Sequence, residues 1–112
     1  MSIVRIDAYR TLGFASISGT YAAVGTPLTS NWRAFRIVNN TDGDMIFSVD
    51  AINDNLFVPA GSFVLYDVST NTANTSDNDA MVFQIGTQFY VKQSTAPTKG
   101  SVYIEGIFAR VS

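Results

Sequence analysis

Few side chains in this sequence could do chemistry, and the two most useful types are missing. The 112 residues contain no histidine and no cysteine. Histidine is the usual proton carrier and metal ligand near neutral pH, and cysteine supplies the reactive thiolate. Carboxylates and hydroxyls remain. Asp42 and Asp44 flank Gly43, and Asp77 and Asp79 flank Asn78. Alternating carboxylates on a loop form the kind of oxygen donor set that holds Ca2+. Neither pair is followed by EF-hand spacing, and the single glutamate is Glu105. Asp and Asn are also the default residues of turns, so Asp42 and Asp44 read as turn formers and Asp77 and Asp79 as solvated. Asp50, Asp67 and Glu105 fall on or near strands. Two carboxyls facing across a cleft would make a glycosidase pair, but nothing in this spacing selects one. The serines have no histidine or Ser-x-x-Lys partner to activate them. No glycine-rich loop leads into a helix to cradle phosphate. No catalytic residue, no cofactor and no metal is assigned, and the expectation is a protein that is not an enzyme.

Binding residues are the next candidates. Trp32, Tyr9, Tyr21, Tyr66, Tyr90 and Tyr103 could form a stacking platform for sugars, since amphipathic rings suit half-wet surfaces. The same residues are strand formers, and core or interface is the stronger expectation. The basic residues are scattered as Arg5, Arg10, Arg33, Arg36, Lys92, Lys99 and Arg110, and the net charge is −2. Phosphate neutralisation needs clustered cations, so nucleic acid is not expected as a partner. Arg33 and Arg36 are close, but in a strand they point to opposite faces. Asn39-Asn40-Thr41 and Asn74-Thr75-Ser76 match the glycosylation sequon; in an Asn/Thr-rich chain they read as coincidence.

These residues must be positioned by strands. Short β-branched and aromatic runs alternate with Gly, Asn, Asp and Pro clusters, and no window sustains a helical apolar period. The runs are Ile3 to Tyr9, Leu12 to Val24, Trp32 to Val38, Met45 to Val49, Leu56 to Val58, Phe63 to Val68, Met81 to Ile85, Gln88 to Lys92 and Val102 to Ala109. Within the third run, Phe35 and Ile37 fall on one face and Trp32 and Val38 on the other. The Asn39 to Asp44 segment, with Asp-Gly at its centre, predicts a tight hairpin with a positive φ at glycine, joining the third and fourth runs. Residues 69–79 contain one alanine and no larger apolar group, which predicts an exposed, mobile loop. Eight or nine short strands at roughly ten-residue spacing predict one antiparallel β-sandwich over residues 1–112, with jelly-roll-like connections. Residues 1–10 read either as the first edge strand of this sheet or as an arm that adds a strand to a neighbour.

The bulk composition fits a building block. The apolar share is 46%, enough for a core, while charged residues make up only 14% against a typical ~25%. Neutral polar groups desolvate more cheaply than charged ones, which suits a surface that packs against other chains, and the same composition equally fits an ordinary β-protein whose polar faces are Ser/Thr-rich. No apolar run approaches a membrane span, and the N-terminus lacks a basic segment followed by an apolar one. Folding in the cytoplasm, without disulfides and without a membrane partner, is the expectation.

The stretch from Phe35 to Asp67 and its C-terminal continuation have a recognisable cadence. An N-x-T-D turn at Asn39 to Asp42 precedes a strand ending in Ser48-Val49-Asp50. A Pro59-Ala60-Gly61 turn follows. Gly86-Thr87-Gln88-Phe89-Tyr90-Val91-Lys92 and Gly100-Ser101-Val102-Tyr103-Ile104 close the pattern. Over most of residues 33–109 this resembles the small all-β virion proteins of tailed bacteriophages. The resemblance implies a structural particle component, such as a capsid decoration, head-fibre, collar or tail-associated piece, made in the bacterial host cytoplasm. Its expected partners are copies of itself and other virion proteins such as capsid, portal or tail components. The alternative expectation is a carbohydrate- or receptor-binding sandwich at a host surface.

Overall fold

A computed structural model describes residues 2–67 and 83–111. The Asp77/Asp79 pair, the Asn74 sequon, the 69–79 loop and the start of the 81–85 run lie outside the described residues. Within them are nine strands and one 3-10 turn at Phe14–Ser16. The strands are β1 (Ser2–Ile6), β2 (Arg10–Gly13), β3 (Ala22–Ala23), β4 (Trp32–Thr41), β5 (Met45–Ser48), β6 (Leu56–Val58), β7 (Phe63–Asp67), β8 (Tyr90–Gln93) and β9 (Gly100–Val111).

All pairings are antiparallel and divide into two sheets. The first runs β1-β9-β4-β7, with β2 continuing β1 along the same edge of β9; the second runs β3-β8-β5-β6. The chain crosses between sheets at every connection from β2 to β9 except β5 to β6. With β1 and β2 counted as one broken strand, this is the eight-strand winding of a jelly roll, and the expected all-β sandwich is what the chain forms.

Two expectations about β4 are corrected. The Asn39–Asp44 segment does not close a hairpin. β4 pairs with β7 and β9, and β5 pairs with β6 and β8, so the turn is a corner carrying the chain from one sheet to the other. Gly43 is not among the positive-φ glycines. It is small for a different reason: a Cβ there would meet the Thr95 carbonyl and the backbone up to Pro97. The second correction concerns Trp32. The register of β4 against β9 shifts between Trp32 and Ala34, a β-bulge. An extra residue reverses the alternation, so Trp32 joins Phe35 and Ile37 on the inner face and is fully buried. Opposite it, Gly106 leaves space that the indole fills; a Cβ at Gly106 would lie on the ring.

The Leu12–Val24 run is not one strand. It breaks after Gly13 into the 3-10 turn and a crossing to β3. Among the described residues, Phe83 forms an isolated bridge with Trp32, through bonds of 2.8 and 2.7 Å in the two directions. β1 pairs with β9 of the same chain from Ser2↔Val111 to Ile6↔Ile107.

The core lies between the sheets. Phe35, Ile37, Val102 and Ile104 come from the first sheet; Met45, Phe47, Val58 and Val91 from the second; Val24, Leu28 and Phe89 from the connections. Phe89 bridges the layers, with its ring 5.5 Å from Phe35 and 6.1 Å from Trp32.

Candidate functional site

The carboxylates singled out by spacing are not brought together. Asp42 and Asp44 face different loops. Asp42 accepts from the Thr98 amide at 2.7 Å and from the Thr98 hydroxyl. Asp44 accepts from the Ala60 amide at 3.0 Å, while its main-chain carbonyl accepts from the Ser94 and Thr95 amides. The pair thus ties the β4–β5 corner to the β6–β7 turn and the β8–β9 loop. Hydrogen bonds from Thr98 hold the Asp42 carboxyl below its ordinary pKa. Asp50 organises the β5–β6 loop. Its Oδ1 accepts from the Ile52 and Asn53 amides, both at 2.9 Å, and from the Ser48 hydroxyl at 2.7 Å. Led by the Asn53 amide, these bonds pull the Asp50 carboxyl far below the usual carboxylate range. The tight loop places Ala51 at φ 61°. Glu105 lies on the first sheet, away from this loop, and pairs with Arg36. Asp67 ends β7, opposite Ala34. Among the described residues there is no group of three His, Cys, Asp or Glu able to hold a metal ion.

The aromatic residues are also dispersed. Trp32 belongs to the core. Tyr66 stacks on Phe35 at 5.3 Å between centroids, at the mouth of the sandwich. Tyr21 stands beside β8, where it donates to Asp54 and lies under the Lys92 ammonium, 4.7 Å from the ring centroid. Burial first, and then Asp54, push the Tyr21 phenol up to about 12. Tyr90 alternates with buried Val91 and faces out from the second sheet. Of the six rings, only Tyr9 and Tyr103 meet, edge to face at 5.8 Å. The six do not build one platform. The Asn39 sequon is closed in the folded chain. Asn39 is fully buried, and its Nδ2 donates to the Gly43 carbonyl at 2.8 Å and the Val58 carbonyl at 2.9 Å.

A second buried polar cluster joins the broken edge strand to the core. Arg10 is 7% exposed and lies over the Trp32 ring at 5.1 Å. It donates to the Ala8 carbonyl at 2.6 Å and to Asp7 at 3.1 Å. Asp7 also accepts the Trp32 indole N–H at 2.8 Å. Burial pushes the Asp7 carboxyl up, but Trp32, the Ala8 amide and Arg10 together outweigh it and hold the group below its ordinary value. Nothing in the spacing of these residues announces the cluster, because the bulge at β4 is what turns Trp32 towards Asp7.

The most unusual surface is the outer face of the first sheet. Opposite the buried positions Phe35, Ile37, Val102, Ile104 and Gly106 stand Ala34, Arg36, Val38, Tyr103, Glu105 and Ile107. Phe63 and Leu65 of β7 flank them on one side, at 59% and 64% exposure. Ile6 and Tyr9 flank them on the other, at 83% and 61%. Between these flanks runs a groove of about 460 Å3, lined by Ile6, Tyr9, Ala34, Leu65, Ile107 and the Arg36–Glu105 pair. Arg36 binds Glu105 through Nε at 2.7 Å and Nη2 at 2.5 Å, and its guanidinium lies 5.6 Å from the Phe63 ring centroid. The two charges thus satisfy each other in the middle of an apolar face. Large exposed apolar groups gathered on one face mark an interaction surface more than scattered ones do. Each of these residues is legible in the sequence as a strand position or its neighbour. Their convergence is not, because it depends on β1, β9, β4 and β7 lying side by side.

Comparison with protein families, curated proteins and solved structures returns no match for this chain.

Proposed function

We propose that this chain is a non-enzymatic structural component of a tailed-phage virion, which self-associates and docks on the capsid, collar or tail. The observation that carries the reading is the apolar outer face of the β1-β9-β4-β7 sheet, with its internally neutralised Arg36–Glu105 pair. Such a surface offers apolar burial to another protein and little to a polar small molecule. Two further features support it. The jelly-roll winding is one that viral capsid proteins use repeatedly, although a shared fold alone never fixes a function. The strand and turn motifs of residues 33–109 follow the cadence of small phage virion proteins. The carbohydrate-binding alternative is less well supported, because the groove's Arg36 and Glu105 are spent on each other and only two of the five tyrosines, Tyr9 and Tyr103, meet. The test is proteomic analysis of particles purified from the host that produces this chain. Stoichiometric presence after a high-salt wash supports the proposal; absence from washed particles overturns it.

A further inference from the structure

We infer that the outer face of the β1-β9-β4-β7 sheet is the contact between two copies of this chain, related by a two-fold axis. This deepens the self-association part of the proposed function and rests on it. Three observations select a second copy as the occupant.

The first is shape. Leu65 of β7 on one side, continued beyond the groove by Phe63, and Ile6 of β1 with Tyr9 on the other stand across a groove floored by Ala34 and Ile107. Three strand spacings separate the flanks, about 14 Å, which is room for one apolar ridge. A two-fold axis seats the β7 ridge of each copy in the groove of the other. An isologous contact needs this property: one patch must carry both a ridge and its own receptor.

The second is charge. Arg36 and Glu105 are the two charged residues among the outward positions of β4 and β9 that face the groove, and they pair with each other. Asp7, the other charged residue lining the groove, is paired with Arg10 at 3.1 Å, so the groove presents no unpaired charge to a second copy. A face carrying one unpaired sign would repel itself on doubling.

The third is area. Ile6, Tyr9, Phe63 and Leu65 together expose about 500 Å2 of mostly apolar surface. Full cover of these four groups in both copies would remove about 1,000 Å2, the lower bound for a specific interface, before Val38, Tyr103 and Ile107 are counted.

The test is sedimentation equilibrium of the full chain up to about 1 mM. The wild type is expected to form dimers. Leu65→Glu places a charge in the groove and is expected to weaken association by about tenfold or more. Ile6→Lys, on the opposite flank, is expected to do the same, so the result does not depend on one variant. Phe57→Glu adds the same charge to an exposed position of β6 in the other sheet and is expected to leave the dimer intact. All three positions are more than half exposed, and circular dichroism checks that each variant stays folded. A wild type that remains monomeric overturns the inference. So does association that survives both Leu65→Glu and Ile6→Lys, or that only Phe57→Glu disrupts. Failure here with the chain present in particles would leave the virion role standing without this interface. Dimers through this face with the chain absent from particles would do the reverse.

Discussion

Replacing Asn39 probes the corner that sends β4 and β5, adjacent in sequence, into different sheets. The Asn39 side chain makes four hydrogen bonds within a fully buried site. It donates to the Gly43 and Val58 carbonyls and accepts from the Thr41 amide at 3.1 Å and the Thr41 hydroxyl at 2.6 Å. In Asn39→Ala the Thr41 hydroxyl keeps an acceptor, because it also reaches the Gly43 carbonyl at 2.9 Å. The Thr41 amide loses its acceptor and the Val58 carbonyl loses a donor, both away from water. At about 1–3 kcal/mol for each such group, the expected loss is about 3 kcal/mol. That is a large part of the roughly 5–15 kcal/mol typical of a domain's total stability. Asn39→Asp is predicted to be worse at neutral pH. A carboxylate would face the two carbonyl oxygens that now accept from Nδ2, and its burial would add a desolvation cost. Protonation restores a donor, so the Asn39→Asp variant is expected to recover stability relative to the wild type as pH falls. Urea denaturation followed by Trp32 fluorescence measures both variants, since Trp32 is the only tryptophan and is fully buried. A cost below about 1 kcal/mol for Asn39→Ala would refute the view that this side chain holds the corner.

Further expectations follow from other contacts. Gly106→Ala should cost about 1–3 kcal/mol, because the new methyl lands on the Trp32 ring; a neutral result in urea melts would contradict the packing. Asp7, Asp42, Asp50 and Asp54 are all held below their ordinary pKa, so their contribution to stability is full above about pH 4 and is lost as pH falls further. Asp7→Asn should flatten part of that acid slope in thermal melts. Tyr21 behaves in the opposite sense. Its raised pKa contributes stability that is full below about pH 10 and lost as pH rises towards about 12, and Tyr21→Phe should remove that alkaline slope. Replacing Arg36 and Glu105 together with Met and Gln should change monomer stability by less than about 1 kcal/mol, since the pair is part-exposed; a larger loss by chemical denaturation would make it a structural element.

The sandwich is legible in the sequence because strand runs and turn residues are local signals. β6 is found at the predicted boundaries, and β4, β5, β7 and β9 are found within a few residues of theirs. Pairing is not legible in the same way. Asp-Gly between two strand runs signals a hairpin, and nothing local distinguishes a hairpin from a corner between sheets; that choice is made by which strands β4 and β5 meet. The face of Trp32 escapes the sequence for a related reason. Strict alternation puts it opposite Phe35, and only the bulge against β9 brings it inside. Asn39 reads as a sequon residue in an Asn/Thr-rich stretch, yet its environment is set by Val58, which lies 19 residues away. The apolar outer face is the clearest case. Ile6, Leu65 and Ile107 come from three separate parts of the sequence, and β4 and β9 bring them to one surface.

Quantitative mass spectrometry of purified, salt-washed particles tests the central claim most directly. A structural role built on two-fold pairs predicts a fixed, even number of copies per particle, set by the particle's symmetry. Particles that assemble with full stoichiometry of their other components but without this chain would contradict it.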